Sequence, residues 1–187
     1  MANGVRTTPF LGKTFAVIAD CHIHPGGGPQ FPPIVLAALQ GVDLIVTLGD
    51  MGDVAGLEQL DAIAPVVGVR GEDDEEDPRT SSPFLLLTAG DLAVGCVFDA
   101  VAAGLAESVE PFTAVADPGE AARRVFGREV DLLLHAATHR PGGGAFGPAG
   151  QALNPGSAVL PAGGAGPTFA KVTLEDGRFI PEIVLLG

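Results

Sequence analysis

Basic residues are scarce in this chain. Ten Lys and Arg face 23 Asp and Glu, leaving a formal charge of -13. Nucleic-acid binders carry a basic face, so binding to a duplex is disfavoured. The acidic field also repels phosphate at long range, so any phosphoester chemistry would need local cations, which bound metal ions could supply. Cysteine is nearly absent. Cys21 and Cys96 cannot build a disulfide framework and fit a reducing compartment. Long apolar runs are missing too: stretches such as Ile34–Leu39 and Leu132–Leu134 fall far short of the ~20 residues that span a bilayer. Met1–Lys13 has neither a long apolar core nor a small-residue cleavage pattern, so it does not read as a secretory leader, and the expected location is cytoplasmic.

What is present is an ordinary globular composition. The chain has 187 residues, of which 47% are hydrophobic and 18% charged, enough for one self-supporting core and too apolar for disorder. Short β-branched runs predict buried strands at Thr14–Ala19, Val42–Leu48, Pro65–Val69 and Val130–Leu134. Helices are expected at Ile34–Gln40, Leu57–Ala62 and Glu120–Phe126. Hairpins are expected at Phe84–Thr88 with Leu92–Phe98, and at Thr168–Leu174 with Phe179–Leu186 around Glu175-Asp176-Gly177. Pro25–Pro33 and Arg140–Gly150 read as Gly-rich loops. Residues 1–13 are expected as a polar arm preceding one domain over 14–187. Strand and helix alternate early and strands dominate later, which predicts an α/β fold of two mixed β-sheets packed face to face with flanking helices.

The four histidines, His22, His24, His135 and His139, all follow predicted strands. Acidic residues occupy equivalent places: Asp20, Asp50, and the run Glu72-Asp73-Asp74. Ligands of open α/β sheets bind beyond the carboxyl ends of strands, and imidazole mixed with carboxylate suits zinc, manganese or iron. A single such residue would read as a loop or capping group; successive strand ends together read as a metal site. His24 shares an extended face with His22 and is a candidate catalytic or outer-sphere group, with a plain loop histidine as the bland alternative. His135 reads as a partly buried strand-end residue. Arg70 and Arg140 flank the predicted site and are candidates for bidentate substrate binding, although surface arginines are common.

At these residues the sequence resembles the calcineurin-like metallophosphoesterases, in their small bacterial and archaeal phosphodiesterase branch. Asp20-Cys21-His22 is similar to the opening D-x-H of that family, and Gly49-Asp50 to its G-D. Gly71-Glu72-Asp73-Asp74 stands in the place of G-N-x-D, Thr138-His139-Arg140-Pro141 matches the end of G-H-T-H-x-P, and Asn154-Pro155-Gly156-Ser157 matches a following N-P-G-S turn. The resemblance runs from about Thr14 to Leu186 and implies a four-layer sandwich.

It also implies that Asp20, His22, Asp50 and His139 hold a first divalent ion (Mn, Zn, Fe or Ni), with Asp50 bridging to a second. The second site departs from the pattern: its positions read Glu72, a residue near Gly95 or Cys96, and Ala137. Glu72 is the expected substitute ligand, with Cys96 or His135 as further candidates. The implied activity is hydrolysis of a phosphodiester or small phosphomonoester by a metal-activated water, with His24 as candidate acid for the leaving group. The alternative is a catalytically impaired member acting as a protein-binding scaffold or a mononuclear metal-binding module. The partners expected are a small phosphorylated substrate, no membrane and no duplex nucleic acid, with a protein partner or homodimer left open.

Overall fold

The computed structural model describes residues 4–24, 26, 28 and 30–187. A six-stranded sheet runs in the order β1-β5-β6-β9-β11-β10: β1 (Val5–Pro9), β5 (Phe84–Ala89), β6 (Leu92–Val97), β9 (Leu132–Leu134), β11 (Gly150–Pro155) and β10 (Pro141–Phe146). A five-stranded sheet runs β13-β12-β2-β3-β4: β13 (Arg178–Leu185), β12 (Thr168–Glu175), β2 (Thr14–Ile18), β3 (Leu44–Thr47) and β4 (Val66–Gly68). Three helices, α1 (Pro33–Ala38), α2 (Val54–Asp61) and α3 (Pro118–Phe126), and the hairpin β7 (Ala106–Val109) with β8 (Phe112–Ala114) complete the elements among the described residues.

Three hydrophobic layers explain why so many strands are apolar on both faces. On β2, Phe15, Val17 and Ala19 point between the sheets, while Ala16 and Ile18 point out under α1 and α2. On β9, Leu132 and Leu134 point between the sheets and Leu133 out under α3 and the β7–β8 hairpin. Strands covered on both sides lose the polar alternation of a half-exposed sheet. The order is helices, sheet, sheet, then helix with hairpin, so the expected two-sheet α/β sandwich is the fold observed.

Local signals set the boundaries. Asp53 caps α2 by accepting from the Ala55 N–H, so the helix begins three residues before the expected Leu57. Asp117 caps α3 in the same way, and Gly127 ends it at a positive φ of 81°. The β12–β13 hairpin turns through Asp176 and Gly177, with φ of 49° and 70°, the two positive values a two-residue I′ turn requires.

Three expectations are corrected. Residues 4–13 are no detached arm: β1 pairs in parallel with β5 from Val5↔Phe84 to Pro9↔Thr88, and Phe10 is buried between the sheets. The segment 140–150 is no loop but most of the hairpin β10–β11, an edge pair held by its backbone. The β7–β8 hairpin within Asp99–Gly127 was not expected at all. Pro25, Gly27 and Pro29 of the first Gly-rich loop lie outside the described residues.

Candidate metal centre

The carboxyl ends of β2, β3, β4 and β9 meet at one edge of the sandwich. The loops after β2 and β3 are zipped together by backbone bonds: Cys21 and His22 N–H donate to the Asp50 carbonyl at 2.8 and 2.9 Å, and Ile23 N–H to the Met51 carbonyl at 2.7 Å. Among the described residues six that are not glycine have positive φ, and five lie here: Asp20 (53°), His22 (48°), Asp50 (51°), Ala137 (72°) and His139 (57°). Such a residue costs on the order of 1–3 kcal/mol and persists only where surrounding structure over-determines it, and these sites cluster at functional centres. Glycine makes the close approach possible. A Cβ on Gly49 would lie 2.7 Å from the Gly71 backbone, and one on Gly71 would strike the Asp50 nitrogen.

His139 Nδ1 lies 2.8 Å from the Leu160 carbonyl, which can only accept, so His139 carries its proton on Nδ1. His22 Nδ1 lies 2.8 Å from Asp73 Oδ2, and Asp73 is held below the ordinary carboxylate range, first by its hydrogen bond from His22. His22 therefore also donates from Nδ1. In the neutral form of each ring the Nε2 atoms then carry lone pairs, and they face each other at 3.3 Å with the rings stacked at 5.1 Å. Asp50 Oδ2 stands 3.7 Å from His22 Nε2. Two imidazole acceptors and a carboxylate oxygen gathered this way repel one another unless a positive charge sits among them. Two nitrogens ligating one ion at ~2.1 Å with a near-tetrahedral angle stand roughly 3.4 Å apart, so the spacing suits a shared cation. The outer contacts fit as well, since metal-binding histidines donate their other N–H to a carboxylate or a backbone carbonyl.

Asp20 is fully buried and is fixed from several sides. Its two oxygens accept the Ala137 and His139 N–H at 3.2 and 3.0 Å. Burial raises its pKa, and nearby Asp50 adds to the rise, against the lowering effect of those bonds and of His139. Its carbonyl accepts from Ser157 Oγ at 2.7 Å, and the same oxygen of Ser157 accepts the Val159 and Leu160 N–H. Asn154 donates to the Ala136 carbonyl and to Thr138 Oγ1. The Asn154–Ser157 turn is therefore the buttress of Asp20 and His139. Asp74, its pKa raised by burial, accepts from the Met51, Gly52 and Gly71 N–H and pins the β4 loop to the β3 loop.

The remaining expected residues fall as follows. His24 is exposed and bonds Asp73 Oδ2 at 3.1 Å. Glu72 is exposed and makes no hydrogen bond or ion pair among the described residues; its neighbour Asp73, not singled out from sequence, is the one that reaches the histidines. Arg70 pairs with Glu76 and Arg140 with Glu110, so neither touches the histidines; Arg140 lines a cavity of about 290 Å³ with Glu110, Phe112 and Asn154. Cys96 lies in the core between the sheets with its thiol pushed up by burial, which removes it as a ligand, and Cys21 is likewise packed inside. His135 is buried rather than partly exposed. Neither of its nitrogens has a hydrogen-bond partner among the described residues, and its ring rests against Phe112 at 5.2 Å. Among the described residues, no three His, Cys, Asp or Glu side chains already close into a finished coordination group. What is assembled is the His22–His139 pair with Asp50 beside it and Asp20 behind.

A family model, the calcineurin-like phosphoesterase superfamily domain, matches residues 14–177. A Methanocaldococcus jannaschii protein named as a probable metallophosphoesterase is 29% identical over 145 residues, covering 74% of this chain and 67% of its own. Among solved structures, Vps29 of Chaetomium thermophilum matches with a TM-score of 0.68 at 23% identity, covering 92% of this chain and 96% of its own. The Escherichia coli phosphoesterase Yfce matches with a TM-score of 0.58 at 19% identity, covering 93% and 100%. These two likenesses concern the fold. With the family match running through every strand end described above, the chain belongs to the calcineurin-like phosphoesterase superfamily.

Proposed function

We propose that this protein is a metal-dependent phosphoesterase acting on a phosphodiester or a small phosphomonoester, with one divalent ion (Mn, Zn, Fe or Ni) held by His22, His139, Asp50 and Asp20. The observation that carries this reading is the pair of bare imidazole nitrogens 3.3 Å apart beside a carboxylate, both aimed by bonds on their opposite nitrogens. When bound, the ion supplies the Lewis-acid charge that activates water and stabilises the phosphoryl oxygens.

The chain's own residues do the rest. Asp20 and Asp74 hold the two loops in the strained geometry that brings His22, Asp50 and His139 together. His24 is exposed at the rim with its Nε2 on Asp73, so as an acid it would serve a departing oxygen from Nδ1, in its doubly protonated form. Arg140 adjoins His139 and, on releasing Glu110, presents a guanidinium to phosphate. That local cation offsets a net charge of -13, which repels an anionic substrate at distance.

A second reading is favoured by two observations: Glu72 reaches no partner among the described residues and Ala137 offers no donor side chain, so the supports for a second ion are thin. In that case the fold serves as a mononuclear metal-binding module or a protein-binding scaffold. No helix among the described residues is long and apolar enough to cross a membrane, and both cysteines are free, which suits the cytoplasm. Hydrolysis of a chromogenic phosphodiester with added manganese separates the readings. The enzyme reading expects turnover that Asp50→Ala abolishes, and retained hydrolysis in that variant would sink it.

A further inference from the structure

We propose that Asp73 is a positioning residue of this site: its carboxylate fixes His22 in the tautomer that turns a bare Nε2 towards His139, and it tethers His24 at the rim. The proposal rests on the reading of His22 as a ligand.

Three contacts meet on this one residue. Asp73 Oδ2 receives His22 Nδ1 at 2.8 Å and His24 Nε2 at 3.1 Å. Its own N–H donates to Asp50 Oδ1 at 2.9 Å. A residue from the β4 loop thus touches both histidines of the β2 loop and the carboxylate of the β3 loop. An ionised carboxylate only accepts, so each imidazole must offer it an N–H. For His22 this leaves a single neutral arrangement, with the proton on Nδ1 and the lone pair on Nε2.

Asp73 is itself held by its neighbour. Asp74 anchors the turn through the Met51, Gly52 and Gly71 N–H, so the Asp73 side chain starts from a fixed backbone. An ordinary exposed His–Asp pair contributes little, with a median near 0–1 kcal/mol. Here the pair is coupled to geometry, because the second nitrogen of His22 lies 3.3 Å from His139 Nε2. Outer partners of this kind shift metal affinity by ~10–100-fold when removed. The acidic run was read from sequence with Glu72 as the functional member; the turn presents Asp73 instead.

The test uses the full chain and two readouts. The first is the tautomer of each imidazole in metal-free protein at about pH 8, where histidine is neutral, read by long-range ¹⁵N NMR. The second is Zn²⁺ affinity by competition with a chelator. Wild type is expected to show His22 as the Nδ1–H form. Asp73→Ala is expected to lose that preference and bind Zn²⁺ ~10–100-fold more weakly. Asp73→Asn keeps an acceptor oxygen and is expected to recover the tautomer and most of the affinity. An unchanged His22 tautomer with unchanged affinity in Asp73→Ala overturns the proposal, as does an Asp73→Asn variant that behaves like the alanine. If wild type binds neither Zn²⁺ nor Mn²⁺, the metal-site reading fails, and the NMR still decides the role of Asp73.

Discussion

His135 makes acid destabilisation of this protein calculable. It directly follows β9 with 1% of its surface exposed, both nitrogens without a hydrogen-bond partner among the described residues, and Phe112 against its ring. Burial lowers its pKa from 6.5 to about 4, against the raising effects of the Ala136 backbone and Asp99. The unfolded chain therefore takes up the proton first. Stability is full above the unfolded value near 6.5 and is lost as pH falls towards 4. At ~1.4 kcal/mol per pKa unit, the loss is about 2 kcal/mol by pH 5 and about 3 kcal/mol by pH 4. The assay is urea unfolding of metal-free wild type and His135→Leu over a pH series. Subtracting the two curves cancels whatever else in the two proteins depends on pH. The variant should be at least as stable at neutral pH, because the unpaired nitrogens cost on the order of 1–3 kcal/mol. Wild type should then fall away from it below about pH 6.5. Parallel curves for the two proteins would refute the reasoning.

Two further substitutions probe the scaffold. Gly71→Ala drives a methyl into the Asp50 nitrogen and carboxylate, and should cost about 1–3 kcal/mol in urea unfolding and weaken metal binding; an unchanged midpoint would contradict the close approach. Ser157→Ala strips one hydroxyl from the Asp20 carbonyl and from the Val159 and Leu160 N–H, and should cost about 2–3 kcal/mol while loosening His139 through the Leu160 carbonyl, measurable as lower stability together with lower metal affinity.

Which parts could be read from sequence follows from where the information sits. β2, β3 and β9 are legible because strands buried on both faces become short apolar runs bounded by turn residues. β10 is not legible: Gly142-Gly143-Gly144 carry no side-chain pattern, and the strand is specified by backbone pairing to β11. β1 reads as a polar arm because none of its residues is fully buried at the sheet edge, Arg6, Thr7 and Thr8 included, and only the partner β5 reveals it. At the site, strand-end placement drew attention to Asp20, His22, Asp50 and His139, and the structure gathers them. The choice among Glu72, Asp73 and Asp74 depends on the direction each side chain takes within one turn, which composition does not encode. Cys96 is similar: whether it faces the metal edge or the space between the sheets depends on its pairing with Leu85 and Leu134. The left-handed backbone at Asp20, His22, Asp50, Ala137 and His139 had no sequence signal, since none is a glycine.

The central claim is that His22, His139, Asp50 and Asp20 hold a divalent ion. The most direct measurement is elemental analysis of protein purified without chelator, wild type beside Asp50→Ala. The account predicts at least one ion per wild-type chain and its loss in the variant. Wild-type protein that stays metal-free after exposure to manganese or zinc would contradict it.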